Sequence, residues 1–181
     1  MKKYELTSET KIVFGHVLYR IKALSSFGYV SAGDLGGFLE SEKNLSQNGN
    51  AWVSGNAEVY GNAEVYGNAE VSGNARVSGN AWVSGNAEVY GNAEVYGNAE
   101  VSKIGSIFWI GAVGSRNDTA TFFRCTDGVI RVTCGCFFGN LDEFAKKVRK
   151  THGDNDHAKV YMLAIDMAKI RISTEKEKTE E

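Results

Sequence analysis

The sequence predicts a mainly β protein, a parallel β-helix of hexapeptide repeats followed by a small α+β domain. Three observations predict it. Between residues 49 and 102 one hexapeptide, Gly-Asn-Ala-x-Val-Tyr/Ser, recurs nine times without a break. Inside each repeat two small apolar residues flank one variable residue, the alternation of a short strand with one buried face. After residue 102 the period fades and hairpin and helix signals replace it. The chain therefore divides into an N-terminal flank and cap (1–48), the array (49–102), a C-terminal domain (103–173) and a charged tail expected to be disordered (174–181).

In the flank, Val17 to Leu24 alternates roughly and reads as a strand, with Tyr4-Glu5-Leu6 and Lys11 to Phe14 as its candidate partners. Gly33-Asp34-Leu35-Gly36-Gly37-Phe38 is too glycine-rich for regular structure and is expected to be a turn. It lacks the Gly-Lys-Ser/Thr ending of a phosphate-cradling loop. Carried backwards, the repeat frame puts Leu39 and Leu45 in the Ala register and Ser41 and Gln47 in the Val register. A degenerate first coil that closes the stack follows.

Within the array, Ala and Val point inward and the intervening Glu, Trp or Arg points outward. Gly-Asn supplies the corner, because both residues tolerate positive φ. An interior lined by such small residues has no room for a ligand.

The repeats resemble the hexapeptide-repeat, left-handed β-helix family, in which three hexapeptides make one triangular coil. The Tyr or Ser after Val departs from that family, which usually has Gly or an acidic residue there. The resemblance implies three full coils, rising ~14 Å. It also assigns the outer faces. One stacks Trp52, Glu70 and Glu88; the second Glu58, Arg76 and Glu94; the third Glu64, Trp82 and Glu100. Only the second interposes a cation between carboxylates, a favourable ladder. Members of the family are very often trimers, and exposed aromatics on a rod suggest contact with another subunit or partner. Trp52, Tyr60, Tyr66, Trp82, Tyr90 and Tyr96 are the candidate contacts. The family's acyltransferases use a histidine on the helix and a looped-out donor segment. The array holds no His, no Lys and no insertion, and His16, His152 and His157 all lie outside it. Acyl transfer is therefore only an alternative, and no catalytic residue or cofactor is assigned.

In the C-terminal domain, Ile107 to Ile110 reads as a buried strand, Gly114-Ser115-Arg116-Asn117-Asp118 as a polar loop and Thr119 to Cys125 as a strand. Asp127-Gly128 reads as a two-residue hairpin turn, returning from Val129 to Phe138. Asn140 with Glu143 forms a capping box for a helix with Leu141, Phe144, Ala145 and Val148 on its apolar stripe, ended by His152-Gly153. A second helix starts near Asp156, and Ile170-Arg171-Ile172 is a candidate last strand. A two-residue loop places Cys125 opposite Ile130 and Arg124 opposite Arg131. That like-charge pair calls for a carboxylate, with Asp118 or a Glu of the rod as candidates, or for a phosphate-bearing ligand. The ligand site would comprise Ser115, Arg116, Asn117, Asp118, Thr119, Phe122 as a stacking face, Arg124 and Arg131. Cys134 and Cys136 could offer two zinc ligands with His152 or His157, but buried reduced thiols are the expected reading and no metal is assigned.

Net charge is −2, and the six Glu and one Arg of the array give it −5, which leaves +3 for the flanks. That balance does not predict nucleic-acid binding. No apolar stretch follows Met1-Lys2-Lys3, no run is long enough to span a membrane, and three cysteines suit a reducing cytoplasm. Residues 17 to 102 also resemble a phage- and prophage-borne group of hexapeptide-repeat proteins, for which no common activity is implied. The expected function is that of a non-enzymatic, trimeric, cytoplasmic accessory protein. It would bind a phosphate-bearing small molecule through its C-terminal domain, in counter-defence against a nucleotide signal. The alternative is an interaction module that docks on a host or phage protein.

Overall fold

The computed structural model describes residues 2–172; the tail expected at 174–181 lies outside them. The chain divides after Ile104 into two units.

In the first unit, β1 (Tyr4–Val13) and β2 (His16–Ala23) form an antiparallel hairpin, and β2 pairs antiparallel with β3 (Leu35–Leu39). The glycine-rich stretch expected to be a turn is thus partly strand. Its glycines serve close approach. A Cβ on Gly36 would lie 2.5 Å from Ile21 Cγ1, and one on Gly37 2.6 Å from the Ala57 carbonyl oxygen. Omitting the side chains lets β3 lie directly on the first repeats.

Nine two-residue strands follow: β4 (Trp52–Val53), β5 (Glu58–Val59), β6 (Glu64–Val65), β7 (Glu70–Val71), β8 (Arg76–Val77), β9 (Trp82–Val83), β10 (Glu88–Val89), β11 (Glu94–Val95) and β12 (Glu100–Val101). They stack in three parallel sheets, β4-β7-β10, β5-β8-β11 and β6-β9-β12. These are the faces that the resemblance assigns, in a β-solenoid of about four turns of the left-handed type. The repeat strands of the first two coils hydrogen-bond to the next coil, as in Trp52 N to Ala69 O (3.0 Å) and Ser54 N to Val71 O (2.8 Å). All nine Ala and nine Val of the repeats are buried. The corner duties divide differently than expected. The nine repeat glycines hold φ between 58° and 73°, and no repeat Asn has positive φ. The asparagines instead form amide ladders along the corners, for example Asn50 Nδ2 to Asn68 Oδ1 (3.2 Å) and Asn68 Nδ2 to Asn86 Oδ1 (3.1 Å).

The cap coil exists, but its register differs from the sequence frame. Phe38 pairs with Glu58, Leu39 with Val59 and Leu45 with Val65, a separation of 20 residues against the 18 between coils. Leu39 and Leu45 therefore occupy the Val positions, where their larger side chains close the stack. Asn44 satisfies backbone acceptors there, donating to Gly61 O (3.1 Å) and Ala63 O (2.9 Å).

The flank also lies over two of the three faces. On the first, Trp52 is 2% exposed, edge-on to Tyr4 (6.3 Å between centroids) and Phe27 (5.4 Å). Tyr29 reaches Glu70; burial first, then that carboxylate, pushes its hydroxyl up to about 12. On the second, Lys11 Nζ meets Glu58 Oε1 (2.8 Å), joining the ladder in which Arg76 bridges Glu58 (3.0 Å) and Glu94 (2.5 Å). Tyr60 is buried with Leu18 and Phe38, beside His16 (5.0 Å). Trp52 and Tyr60 are thus covered by their own chain and are not partner contacts. Tyr66, Trp82 and Tyr90 are exposed, and Tyr96 is half-buried.

In the second unit, β13 (Ile107–Val113), β14 (Asp118–Arg124), β15 (Ile130–Cys134) and β16 (Phe137–Asn140) form an antiparallel sheet in chain order. The single return expected from Val129 to Phe138 is two strands, broken by a turn at Gly135 (φ 57°) and Cys136. The predicted capping box is present: Glu143 N donates to Asn140 Oδ1 (2.9 Å) and Asn140 N to Glu143 Oε2 (2.9 Å). It opens α1 (Leu141–His152), and α2 (Asp156–Arg171) follows. The expected final strand is absent, because Ile170 and Arg171 continue α2 and Ile172 caps it. Phe144 and Val148 of α1 and Tyr161, Ile165 and Ala168 of α2 pack on Ala120, Phe122 and Val132 of the sheet. No described helix is long and apolar enough to cross a membrane.

Lys3 gives the solenoid end a pH dependence. Its buried ammonium donates to Ala51 O (2.8 Å) and Gly49 O (3.4 Å), and burial lowers its pKa from 10.5 to about 8. From pH 8 towards 10.5 the unfolded chain keeps a proton that the fold has lost, so stability rises with pH across that window. Tyr4 and Tyr29, raised above 10.0 by burial, act oppositely above pH 10. Denaturant unfolding should therefore show stability rising between pH 8 and 10 in the native chain, and Lys3→Met should flatten that rise.

Candidate anion-binding cleft

The hairpin between β14 and β15 decides which residues can share a site. Gly128 N donates to Cys125 O (2.8 Å) and Cys125 N to Val129 O (3.0 Å), so Thr126-Asp127-Gly128 is a three-residue loop, with Gly128 at φ 78°. The register moves by one from the predicted one: Arg124 lies opposite Ile130, Phe123 opposite Arg131 and Phe122 opposite Val132. A one-residue shift exchanges the faces of the returning strand. Phe122 and Ala120, not Phe123 and Cys125, lie under the helices. Arg124 and Arg131 fall on opposite faces and do not form the expected pair.

Arg131 has its own carboxylate. It makes a two-pronged bond with Asp127 (Nη1 to Oδ1 2.9 Å, Nη2 to Oδ2 2.6 Å), and Asp127 Oδ1 also accepts from Val129 N (3.0 Å). The Arg131 bonds first, then Val129, hold Asp127 down at about 2. The carboxylate that meets Arg131 is therefore the hairpin's own Asp127 and not Asp118. Phe122 is fully buried between Phe108 (centroids 5.7 Å) and Phe144 (6.1 Å), so it offers no stacking face to a ligand.

At the other end of the sheet the polar loop does line a cleft. The turn at residues 114–117, closed by Asn117 N to Gly114 O (3.3 Å), joins β13 to β14. The Gly135-Cys136 turn lies at the same end, since Ala120 pairs with Cys134 and Val113 with Asp118. Between these turns and the helices is a cavity of about 300 Å³. Ser115, Arg116, Cys134, Cys136 and Phe137 line it from the sheet side, Phe144, Lys147, Val148, Thr151 and His152 from α1, and Tyr161 from α2. Its floor is apolar and aromatic; its rim carries Arg116, Lys147 and His152 with two hydroxyls.

Arg116 lies 3.8 Å from Asp118 Oδ2, with its side chain 64% exposed. So loose and hydrated a pair contributes little and does not prevent Arg116 from meeting a stronger anion. Deeper in, Cys134 Sγ and Tyr161 Oη are 3.6 Å apart, and burial pushes both groups up. Both are therefore neutral at ordinary pH, so they are hydrogen-bonding groups and Cys134 is no activated thiolate. Cys136 is exposed.

Of the predicted ligand residues, Ser115 and Arg116 line this cleft, with Asn117, Asp118 and Thr119 in or next to the same turn; Phe122, Arg124 and Arg131 do not line it. Lys147, Thr151 and Tyr161 line it without any sequence assignment, and His152 lines it in place of its candidate role as a zinc ligand. A signal existed, because Phe144, Lys147, Val148 and Thr151 share one face at helical spacing. Among the described residues no three His, Cys, Asp or Glu side chains are placed to hold a metal ion, so the Cys134, Cys136 and histidine zinc alternative does not form. No protein-family model matches the chain, and no curated protein matches it.

The Asp127 clamp has a testable sign. Its pKa lies below the ordinary 3.8, so its contribution is complete above that value and is lost as pH falls towards 2. Acid titration of stability should show a smaller loss between pH 4 and 2 in Asp127→Asn than in the native chain.

Proposed function

We propose that the C-terminal unit binds a small phosphate-bearing molecule without transforming it, in the cleft beside Arg116, and that the solenoid is its rigid support. The observation that carries this reading is the rim of Arg116, Lys147 and His152 around an aromatic floor of Phe137 and Phe144. Guanidinium and ammonium groups suit phosphate oxygens, and an apolar floor suits the ring of a nucleotide. The resemblance to phage-borne repeat proteins supports a counter-defence role, in which a cytoplasmic trimer sequesters a nucleotide signal. Calorimetric titration with cyclic and ADP-ribose-type nucleotides, and with inorganic phosphate, tests it. Binding is expected for at least one nucleotide, weakened about 10- to 100-fold by Arg116→Ala or Lys147→Ala. Absence of binding, or binding indifferent to both substitutions, overturns the reading.

A second reading, an interaction module on a host or phage protein, is favoured by Trp82. It is 44% exposed on the third face, between Glu64 and Glu100 of the neighbouring coils. A large aromatic in an acidic surround suits a basic partner segment. Capture of a protein by the native chain but not by Trp82→Ala, with nucleotide titrations silent, would select it. Acyl transfer rests on the family resemblance alone, and coenzyme A thioesters belong in the same titration panel.

A further inference from the structure

Helix α2 is apolar on two sides, and only one of them is used. Ala158, Tyr161, Ala164, Ile165 and Ala168 are buried within the unit. About 140° around the helix, at 3.6 residues per turn, lies a second stripe of Val160, Leu163, Met167 and Ile170. These are 39%, 64%, 50% and 87% exposed. Exposed apolar residues scattered singly need no explanation, but four in line on one helix do.

Their spacing is three, four, three, which is the a-d-a-d spacing of a coiled-coil seam. With Val160 at a, Leu163 is d, Met167 a and Ile170 d. Asp166 then falls at g and Arg171 at e. When two copies lie parallel, g of one helix adjoins the following e of the other, so Asp166 meets the Arg171 of a second copy, in both directions. Among the described residues Asp166 has only the loose contact of Lys169 on its own helix (3.8 Å), both side chains more than half exposed. Residues 173–181 read Ser-Thr-Glu-Lys-Glu-Lys-Thr-Glu-Glu and contain no apolar side chain.

We propose that the outer face of α2 is where copies of this chain associate, in parallel, through Val160, Leu163, Met167 and Ile170, with Asp166 and Arg171 as the crossed charge pairs. Two heptads are fewer than a free coiled coil needs. This helix, however, is already folded on its sheet, so association carries no cost of nucleating a helix. Complementary charge at e and g selects the parallel arrangement and a like partner. The interface is independent of the cleft, and it transfers self-association from the aromatics of the rod to the C-terminal unit.

Sedimentation or light scattering of the full chain at micromolar concentration tests it. The native chain is expected to be oligomeric, and Leu163→Lys with Met167→Lys monomeric at an unchanged thermal melt, since both side chains are exposed. Asp166→Arg and Arg171→Asp should each weaken association about three- to tenfold, and the double exchange should restore it. A monomeric native chain overturns the proposal. So does an oligomer indifferent to the lysine substitutions, or one dispersed by Trp82→Ala instead.

Discussion

The first unit depends on one steric constraint, the distance at which one coil can lie on the next. The interior along the repeats is filled by Ala and Val alone, and the corners leave little room for a Cβ, least at Gly49, Gly79 and Gly85. A Cβ on Gly49 would stand 2.6 Å from the Gly67 carbonyl oxygen. Because every coil obeys the same limit, the backbone hydrogen bonds, the amide ladders and the outer faces all repeat in register. The side chains that can vary are those facing outward, and these distinguish one face from another. One holds an ion-pair ladder, one is covered by Phe27 and Tyr29, and one presents Trp82.

The second unit is built on other terms. Its sheet and helices bury ordinary large apolar side chains, and what sets its surface is where the turns fall. The three-residue loop at Thr126 to Gly128 ties Arg131 to Asp127 and keeps Arg124 and Arg131 apart. The turns at the far end bring Arg116 near Lys147 and His152. Charges that look paired in sequence are separated by one residue of loop, while charges more than thirty residues apart share a rim.

Legibility followed the same division. Strict periodicity made the three faces and the Glu58-Arg76-Glu94 ladder readable in advance, because each repeat reports the same environment. Local chemistry made the capping box at Asn140 and Glu143 readable, and with it both helices. What sequence could not supply was anything set by a count of one or two residues or by a distant neighbour. The hairpin register turned on whether Thr126 belonged to strand or loop. The cap offset turned on two extra residues before Gly49. Trp52 looked like an exposed aromatic because its strand position faces outward, and its burial comes from Tyr4 and Phe27, far away in the chain. Half of the cleft was hidden likewise, since Lys147 and Thr151 read as solvated helix residues until the Gly135 turn is seen beside them.

The cap offset has a consequence for how such an array can change in length. Repeats this alike carry no internal address, so one hexapeptide could in principle stack on many others. The 20-residue step from Leu39 to Val59 and from Leu45 to Val65 supplies a starting point that the repeats do not. From that origin, duplicating or deleting a single hexapeptide would advance every later residue by a third of a turn. A change between Glu58 and Glu94 would part Arg76 from one of its carboxylates, and any change ahead of Trp82 would move Trp82 to another face. Changing the number by three would keep every face as it is. The array can thus lengthen or shorten in whole coils without disturbing its surface, and the permitted unit of evolutionary change is the coil and not the repeat.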